Sequence, residues 1–167
     1  MRAKGNGFFA TVETRPYQTV NPVSGQLKDD SCVAACLLTL LRDQGREDVY
    51  EAMLRAALDT QGEGALLSDA PRALRELGSA VAYRYREDLT LDDLKRATAK
   101  GPAIVALRRR EMGSHALLVD GIEGDAYILI RDPLPELIGS AYKVAVKTFL
   151  NAWFLEKFGR GRGLVVE

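Results

Sequence analysis

Two cysteines at helical spacing and a single histidine are the residues of this 167-residue chain that could carry nucleophilic chemistry. Cys32 and Cys36 lie four residues apart in the stretch QLKDDSCVAAC, and His115 begins the stretch HALLVDGI. A cysteine nucleophile is activated by an adjacent base, and histidine is the most common general base in enzymes. Because the chain has only one histidine, any mechanism of this kind must use His115.

Cys32 is the better candidate for the nucleophile because it is expected at the start of a helix. Ser31 is a favoured N-cap residue, and the apolar residues that follow it have helical spacing as far as Gly45. The helix dipole and the unpaired N–H groups of a first turn favour a thiolate. Cys36 lies one turn further among apolar residues, so we expect it to be a buried core residue.

Asp132 is the candidate for the third member of a catalytic triad. It ends the run AYILIRD, which is predicted to pair with HALLVDGI through a hairpin at EGD. This pairing would bring Asp132 and His115 to the same end of the sheet, where the carboxylate could orient the imidazole. We expect Asp132→Asn to lower turnover while the fold stays stable. Two structural readings stay open: a packing role for His115, and a turn role for Asp132 before Pro133.

Composition argues for one soluble domain without a strong overall charge. Lys and Arg equal Asp and Glu at 23 each, so the net charge does not point to nucleic acid as a partner. The longest apolar run is far shorter than the roughly 20 residues of a membrane-spanning helix, and the N-terminus lacks a secretory signal. We expect a cytoplasmic location and reduced thiols. Cysteine and histidine are too few for a typical zinc site, and no cofactor is expected.

The order of the predicted elements indicates an α+β fold. Residues 1–25 contain the turn signals RP, NP and SG and are predicted to form an irregular arm, followed by one domain over residues 26–167. Helices are predicted over residues 31–45, 47–58, 68–78, 90–101 and 146–159, and strands over 80–86, 102–109, 115–122, 126–132 and 163–167. The helix that carries Cys32 should therefore pack on an antiparallel sheet that carries His115 and Asp132.

The sequence also resembles the C39 peptidases, papain-like cysteine proteases that trim leader peptides in bacteriocin export systems. The resemblance rests on Gln26 six positions before Cys32, on HALLVDGIEGDAYILIRDP and on FLNAW, and it extends nearly to the C-terminus. It implies that Cys32 attacks the substrate, that His115 and Asp132 complete the triad, and that Gln26 helps to form the oxyanion hole. Val33 departs from the family pattern, which has glycine after the nucleophile, and its side chain would narrow the cleft.

Three functions are compatible with this resemblance. The first is a cysteine peptidase that cleaves a protein or leader peptide through an acyl-enzyme. The second is a bacterial toxin or effector domain of the same fold, a protease or a glutamine deamidase, which would be delivered to a target cell and inhibited by an immunity protein. The third is a non-catalytic module that binds a leader-like peptide. The presence of Cys32, His115 and Asp132 together favours a catalytic function over the third.

Overall fold

The computed structural model describes residues 7–60, 64–109, 113–154 and 159–167, and it has the α+β architecture that the order of elements predicts. The helices are α1 (Cys32–Asp43), α2 (Glu51–Ala57), α3 (Ala70–Glu76), α4 (Leu91–Thr98) and α5 (Val146–Trp153). The strands are β1 (Arg15–Pro16), β2 (Tyr83–Leu89), β3 (Ala103–Arg109), β4 (Gly113–Glu123), β5 (Tyr127–Asp132), β6 (Ser140–Ala145) and β7 (Gly161–Val166). Within these ranges, no helix has the length and apolar character needed to cross a bilayer.

The described strands form one antiparallel sheet in the order β1-β6-β5-β4-β3-β7-β2. Strands β3 to β6 are neighbours in sequence, whereas β7 inserts between β3 and β2. The predicted hairpin between β4 and β5 is confirmed, and its turn contains Gly124 and Asp125, both at positive φ (55° and 58°). Glu123 pairs with Tyr127, so the loop has three residues, and the Ala126 N–H closes its turn by donating to the Glu123 carbonyl at 2.9 Å.

Apolar residues bury both faces of the sheet. Successive residues of β4 illustrate this, since Ala116 belongs to a core with α1, α2 and α3, while Leu117 belongs to a second core with α4 and α5. Side chains that follow each other along a strand point to opposite faces. The sheet therefore lies between two layers of helices, with the Cys32 helix in the first layer. Trp153 is 1% exposed and lies in the second core.

Helix α1 is almost entirely buried. Every residue from Val33 to Leu41 is buried, and the helix begins at Cys32 as predicted. Gly45 follows its end at φ 83° and donates its N–H to the carbonyl of Arg42 at 2.9 Å. A left-handed glycine of this kind satisfies carbonyl groups that the helix leaves unpaired. The prediction for this helix is confirmed at both ends.

Two other helix starts differ from the predictions. Helix α2 begins at Glu51 rather than near residue 47, because Tyr50 is extended (φ −124°, ψ 158°) while Val49 is fully buried. Helix α3 begins at Ala70, and Ser68 makes no capping hydrogen bond because it lies within a short 3-10 turn, Leu67–Asp69. Tertiary burial thus overrides the local helical pattern at these starts.

The predicted start of α4 is correct, whereas the prediction for α5 is too long. At the start of α4, Thr90 and Asp93 form a capping box in which each side chain accepts the other's backbone N–H, at 3.1 and 3.0 Å. Helix α5 ends at Trp153 because Phe154 is extended, with ψ at 139°. The continuation that the sequence predicts over residues 155–158 lies outside the described residues.

Two strands were not predicted. Strand β6 continues the sheet beyond β5, with Asp132 opposite Ser140, and β1 of the N-terminal arm pairs with β6. The remaining described part of the arm lacks regular helices and strands, as predicted, but Phe9 is only 5% exposed and packs in the second core. The arm therefore contributes buried surface although its backbone is irregular.

A buried ion-pair network joins the end of α1 to the strand that carries Asp132. The Arg131 guanidinium, 2% exposed, donates to the Asp43 carboxylate at 2.7 and 2.9 Å and to the Asp120 carboxylate at 2.8 to 3.1 Å. The Tyr17 hydroxyl also donates to Asp120, at 2.7 Å. Because a buried charge without partners is costly, this network fixes α1 against β5.

Candidate active site

The thiol of Cys32 lies at the start of α1 and meets the strand that carries the histidine. It is partly buried, and the backbone N–H groups of Ala116 and Val33 lower the pKa of the thiol. Ser31 is the N-cap but does not cap with its side chain; its hydroxyl instead accepts from Arg55 at 2.6 Å. The first turn of α1 thus turns its N–H groups and the positive end of its dipole toward the sulfur.

His115 joins the thiol to a carboxylate. The residue is 3% exposed, and its Nε2 lies 2.9 Å from Oδ1 of Asp132. Its side chain also interacts with the Cys32 thiol, and this interaction raises the pKa of His115. Since Nε2 faces Asp132, Nδ1 is the ring nitrogen that faces the sulfur. The structure therefore brings the three predicted residues together, with the imidazole between the thiol and the carboxylate.

The sheet register explains why Asp132 and His115 meet. Leu118 pairs with Arg131, so one step along the register places Asp132 opposite Leu117. His115 lies two residues from Leu117 and so on the same face of β4. The two side chains are diagonal neighbours across the strand pair, a separation that side chains of this length can bridge.

Asp132 is fully buried and accepts four hydrogen bonds. Its Oδ1 accepts from His115 at 2.9 Å and from the Leu134 N–H at 3.0 Å. Its Oδ2 accepts from the Phe8 N–H at 2.7 Å and from the Tyr142 hydroxyl at 2.5 Å. Burial favours the neutral acid, but the charge and hydrogen bond of His115 and the other donors outweigh it and lower the pKa of Asp132. The carboxylate is therefore held ionised inside the protein.

The pKa shifts of the thiol and the imidazole favour an ion pair. Burial alone would raise the pKa of Cys32, but the hydrogen bond and charge of His115, with the backbone N–H groups, lower it below its ordinary value. Burial alone would lower the pKa of His115, but Asp132 and Cys32 raise it to about 9. Both shifts act in the direction that a thiolate–imidazolium pair requires.

Cys36 has the environment of a structural cysteine. It is 1% exposed, and its thiol lies 3.5 Å from the carbonyl oxygen of Ala116. Burial and the neighbouring charge of Cys32 raise the pKa of Cys36 well above its ordinary value. The contrast predicted from sequence between the two cysteines is present in their surroundings.

Gln26 is buried beside the site, but its amide nitrogen is occupied. Its Nε2 donates to the carbonyl oxygens of Lys28 and Asp29 at 2.8 and 3.2 Å, and its Oε1 is buried without a hydrogen-bond partner in the described part of the chain. Its backbone is held by Pro133 and Leu137, at 2.9 and 2.8 Å. An oxyanion role would require the amide to turn when a substrate binds, so this role of Gln26 stays a prediction.

The loop between Gln26 and Cys32 is held by helix α2. The N–H of Leu27 donates to the buried carboxylate of Glu51 at 3.1 and 3.2 Å. Arg55 pairs with Asp30 at 2.5 Å and thereby neutralises an acidic residue close to the thiol. Helix α2 thus fixes the loop that leads to Cys32.

Val33 does not narrow the cleft in the way that the sequence suggested. Its side chain is 4% exposed and packs in the first core with the other apolar residues of α1. A side chain that points into the core leaves the access to Cys32 unchanged. The expectation of a narrower cleft is therefore wrong, because the residue that follows Cys32 faces inward.

Two residues of the site were missed from sequence. Tyr142 lies on β6 and bonds the Asp132 carboxylate, while Phe8 of the N-terminal arm contacts both His115 and Asp132. The available signals were weak: an alternating stretch AYKVA, and an aromatic pair GFFA in an otherwise irregular arm. Neither pattern reveals contacts across ten to 124 residues of sequence.

Solved structures with the same fold are peptidase domains. The peptidase domain of Streptococcus ComA, described as a bi-functional ABC transporter of a quorum sensing pathway, matches with a TM-score of 0.68 and 19% identity, over 87% of this chain and 96% of that one. A double glycine motif protease from an AMS/PCAT transporter, solved with its leader peptide, matches with a TM-score of 0.66 and 18% identity, over 93% and 98%. A Bacillus anthracis protein assigned as a C39-like peptidase matches with a TM-score of 0.62 and 14% identity, over 89% and 94%.

These likenesses show that the chain has the papain-like α+β fold, with the cysteine on the first helix, as predicted. No curated protein sequence matches the chain. The sequence model of the peptidase C39 family, however, matches residues 21–155, which is most of the chain. The chain therefore belongs to the peptidase C39 family.

Proposed function

We propose that this protein is a cysteine peptidase that uses Cys32, His115 and Asp132 as its catalytic triad. The observation that carries the proposal is the position of His115, whose two ring nitrogens face the Cys32 thiol and the Asp132 carboxylate. This arrangement activates a nucleophile and orients its base at the same time. Membership of a peptidase family supports the same assignment.

The proposed reaction has two steps. The Cys32 thiolate attacks the carbonyl carbon of a peptide bond, and the N–H of Cys32, with Gln26 after its amide turns, stabilises the resulting oxyanion. The His115 imidazolium then gives its proton to the leaving amine, which leaves a thioester on Cys32. In the second step His115 takes a proton from water, the water oxygen attacks the thioester, and the carboxylic acid product leaves the restored thiolate.

We propose a protein or leader peptide as the substrate. Apolar side chains lie exposed next to Gln26: Leu27 is 56% exposed, and Leu137 and Ile138 are 71% and 74% exposed. The backbone of Leu137 is hydrogen-bonded to Gln26, so this apolar surface is attached to the site itself. An extended peptide with apolar side chains could bury it. The double glycine motif protease that shares this fold was solved with a leader peptide, which supports this class of substrate.

We also propose that residues 26–167 form the peptidase domain and that residues 1–25 are an arm attached to it. The family match begins at residue 21, close to this boundary. The arm nevertheless reaches the core through Phe9 and the sheet through β1. An enzyme assay should therefore use the whole chain.

The test compares matched cysteine variants on a set of double-glycine leader peptides, with mass spectrometry as the readout. Cys32→Ala should abolish cleavage, while Cys36→Ala, the same substitution one helical turn away, should retain it. His115→Ala should lower turnover by several orders of magnitude, because the members of a triad act as a unit. Full cleavage by Cys32→Ala would contradict the mechanism.

The same mass spectra separate the other two functions. Conversion of a glutamine to a glutamate without chain scission would identify a deamidase. Binding of a peptide by the unchanged protein without any chemical change would identify a non-catalytic module. Either result would replace the peptidase proposal, since in both cases no peptide bond breaks.

A further inference from the structure

The arm residue Phe8 contacts two members of the proposed triad through two different groups. Its ring lies parallel to the imidazole of His115, with centroids 5.5 Å apart and planes 3° from parallel. Its backbone N–H donates to Oδ2 of Asp132 at 2.7 Å. A residue more than 100 positions away in sequence thus covers one face of the histidine and neutralises part of the carboxylate charge.

The neighbours of Phe8 hold it in this position. Phe9 is 5% exposed and meets the Phe8 ring edge-on at 4.9 Å and the Tyr142 ring at 6.3 Å. Gly7 passes so close to the site that an added Cβ would lie 2.8 Å from Oδ2 of Asp132 and 2.8 Å from the Tyr142 ring. Only glycine allows this approach. Gly7 before Phe8 and the buried Phe9 after it therefore both hold the arm against the site.

The stacked Phe8 ring restricts rotation of the His115 side chain. The imidazole can bond Cys32 and Asp132 together only in one plane, and rotation about its χ2 angle would break both hydrogen bonds. A parallel aromatic ring against one face opposes that rotation and also excludes water that would compete for the Nε2–H. The His115–Asp132 bond is buried, with both side chains no more than 3% exposed.

We propose that Phe8 is a positioning residue of the active site, whose ring fixes the plane of His115 and shields the His115–Asp132 hydrogen bond from water. The proposal rests on the peptidase function proposed above. It also assigns a function to the N-terminal arm, which completes the environment of the histidine.

A nuclear magnetic resonance experiment tests the positioning directly. The chain contains a single histidine, so the far-downfield proton resonance of a hydrogen-bonded imidazole N–H can only come from His115. In the unchanged protein this resonance should be sharp at neutral pH, because the proton is shielded from exchange with water. Phe8→Leu removes the flat ring at similar size and should broaden or abolish the resonance. Phe8→Tyr keeps the ring and should retain it.

Phe154→Leu is the matched control. Phe154 is also half-buried and stacks on an aromatic ring, that of Trp153, with centroids 5.3 Å apart. Within the described residues it has no ring contact with His115. Phe154→Leu should lower the free energy of unfolding about as much as Phe8→Leu does, and it should leave the His115 resonance unchanged. The pair of variants thus separates positioning of His115 from general packing.

Peptide cleavage supplies the second readout. Phe8→Leu should lower kcat by about 10- to 100-fold, as expected when a catalytic group loses its alignment, while KM changes by less than about twofold. Phe8→Tyr should restore most of the turnover. Gly7→Ala should reproduce the Leu variant, because its Cβ would push the arm away from Asp132.

Several outcomes would overturn the proposal. They are a missing resonance in the unchanged protein, a sharp resonance in folded Phe8→Leu, or a lost resonance with normal kcat. If Phe8→Leu does not fold, Phe8→Met provides the same comparison at similar volume. The resonance does not depend on activity. If the unchanged protein cleaves no peptide, but its His115 resonance is lost on Phe8→Leu substitution, the peptidase function is refuted and the positioning of His115 by Phe8 still holds.

Discussion

Replacement of Asp132 by asparagine removes one acceptor oxygen from a fully buried side chain and keeps its shape. In the unchanged protein the Asp132 carboxylate accepts four hydrogen bonds, two on each oxygen. An asparagine can orient its amide in two ways. If its NH2 group replaces Oδ2, the Tyr142 hydroxyl can rotate and accept, but the Phe8 N–H loses its acceptor. If its NH2 group replaces Oδ1, His115 can accept at Nε2, but the Leu134 N–H loses its acceptor.

Each orientation therefore leaves one backbone N–H unpaired next to a buried amide. An unsatisfied buried donor costs about 1–3 kcal/mol, and the remaining hydrogen bonds lose the strength that a charged acceptor gives. We expect Asp132→Asn to destabilise the fold by roughly 2–4 kcal/mol. Since about 1 kcal/mol corresponds to 2–4 °C in a chain of this size, Tm should fall by roughly 5–15 °C. The expectation from sequence, that only turnover suffers, is thus revised by the four contacts.

Urea unfolding at neutral pH measures this effect. Asp125→Asn serves as the control, because Asp125 is 75% exposed in its ion pair with Lys95 and the same substitution there should change stability by less than about 0.5 kcal/mol. Turnover of Asp132→Asn should also fall by about 10²- to 10⁴-fold, since the amide stabilises imidazolium poorly. An Asp132→Asn protein as stable as the control would show that the four hydrogen bonds do not hold this carboxylate.

Four further measurements address other parts of the structure. Limited iodoacetamide should label Cys32 before Cys36 in peptide mapping, because Cys36 is buried with a raised pKa; preferential labelling of Cys36 would reverse the assignment. Turnover should decline as pH rises through about 9, where His115 loses its proton, and a pH–rate profile that falls near 6.5 instead would contradict the raised pKa. The raised pKa of His115 also stabilises the folded state. This contribution to the free energy of unfolding is complete below pH 6.5 and is lost as pH rises through about 9. Urea unfolding across this pH range would detect it. Asp43→Ala should cost roughly 2–3 kcal/mol in urea unfolding, less than the 3–5 kcal/mol of a broken buried pair because Asp120 still pairs with Arg131, and a change below about 0.5 kcal/mol would argue against the network.

The parts of the fold that sequence predicted well are those governed by local patterns. Helix α1 has a continuous apolar pattern and a terminal glycine, and α4 has a capping box, so both were placed within one to three residues. The β4–β5 hairpin followed from two apolar runs joined by a short glycine-containing turn. Once that hairpin was predicted, the meeting of His115 and Asp132 followed from its register.

The parts that sequence missed depend on contacts between distant residues. Strand β6 is short and partly polar, and only its pairing with β5 makes it a strand. The start of α2 shifts because Val49 is drawn into the core. Phe8 and Tyr142 gained their place in the site from tertiary packing, which no local spacing encodes. The amide orientation of Gln26 likewise depends on carbonyl groups of its own loop.

The position of β7 in the sheet has a consequence for biosynthesis. Strand β2 pairs with β7 alone among the described strands, and β7 follows all the other elements in the chain. The helical half and strands β3 to β6 are therefore synthesised before the partner of β2 exists. Contacts between such distant segments form slowly, and unpaired strand edges invite aggregation in the meantime. We expect the nascent chain to reach its protease-resistant state only after β7 has emerged, so pulse-labelled ribosome-bound chains that stop before residue 161 should remain sensitive to proteolysis.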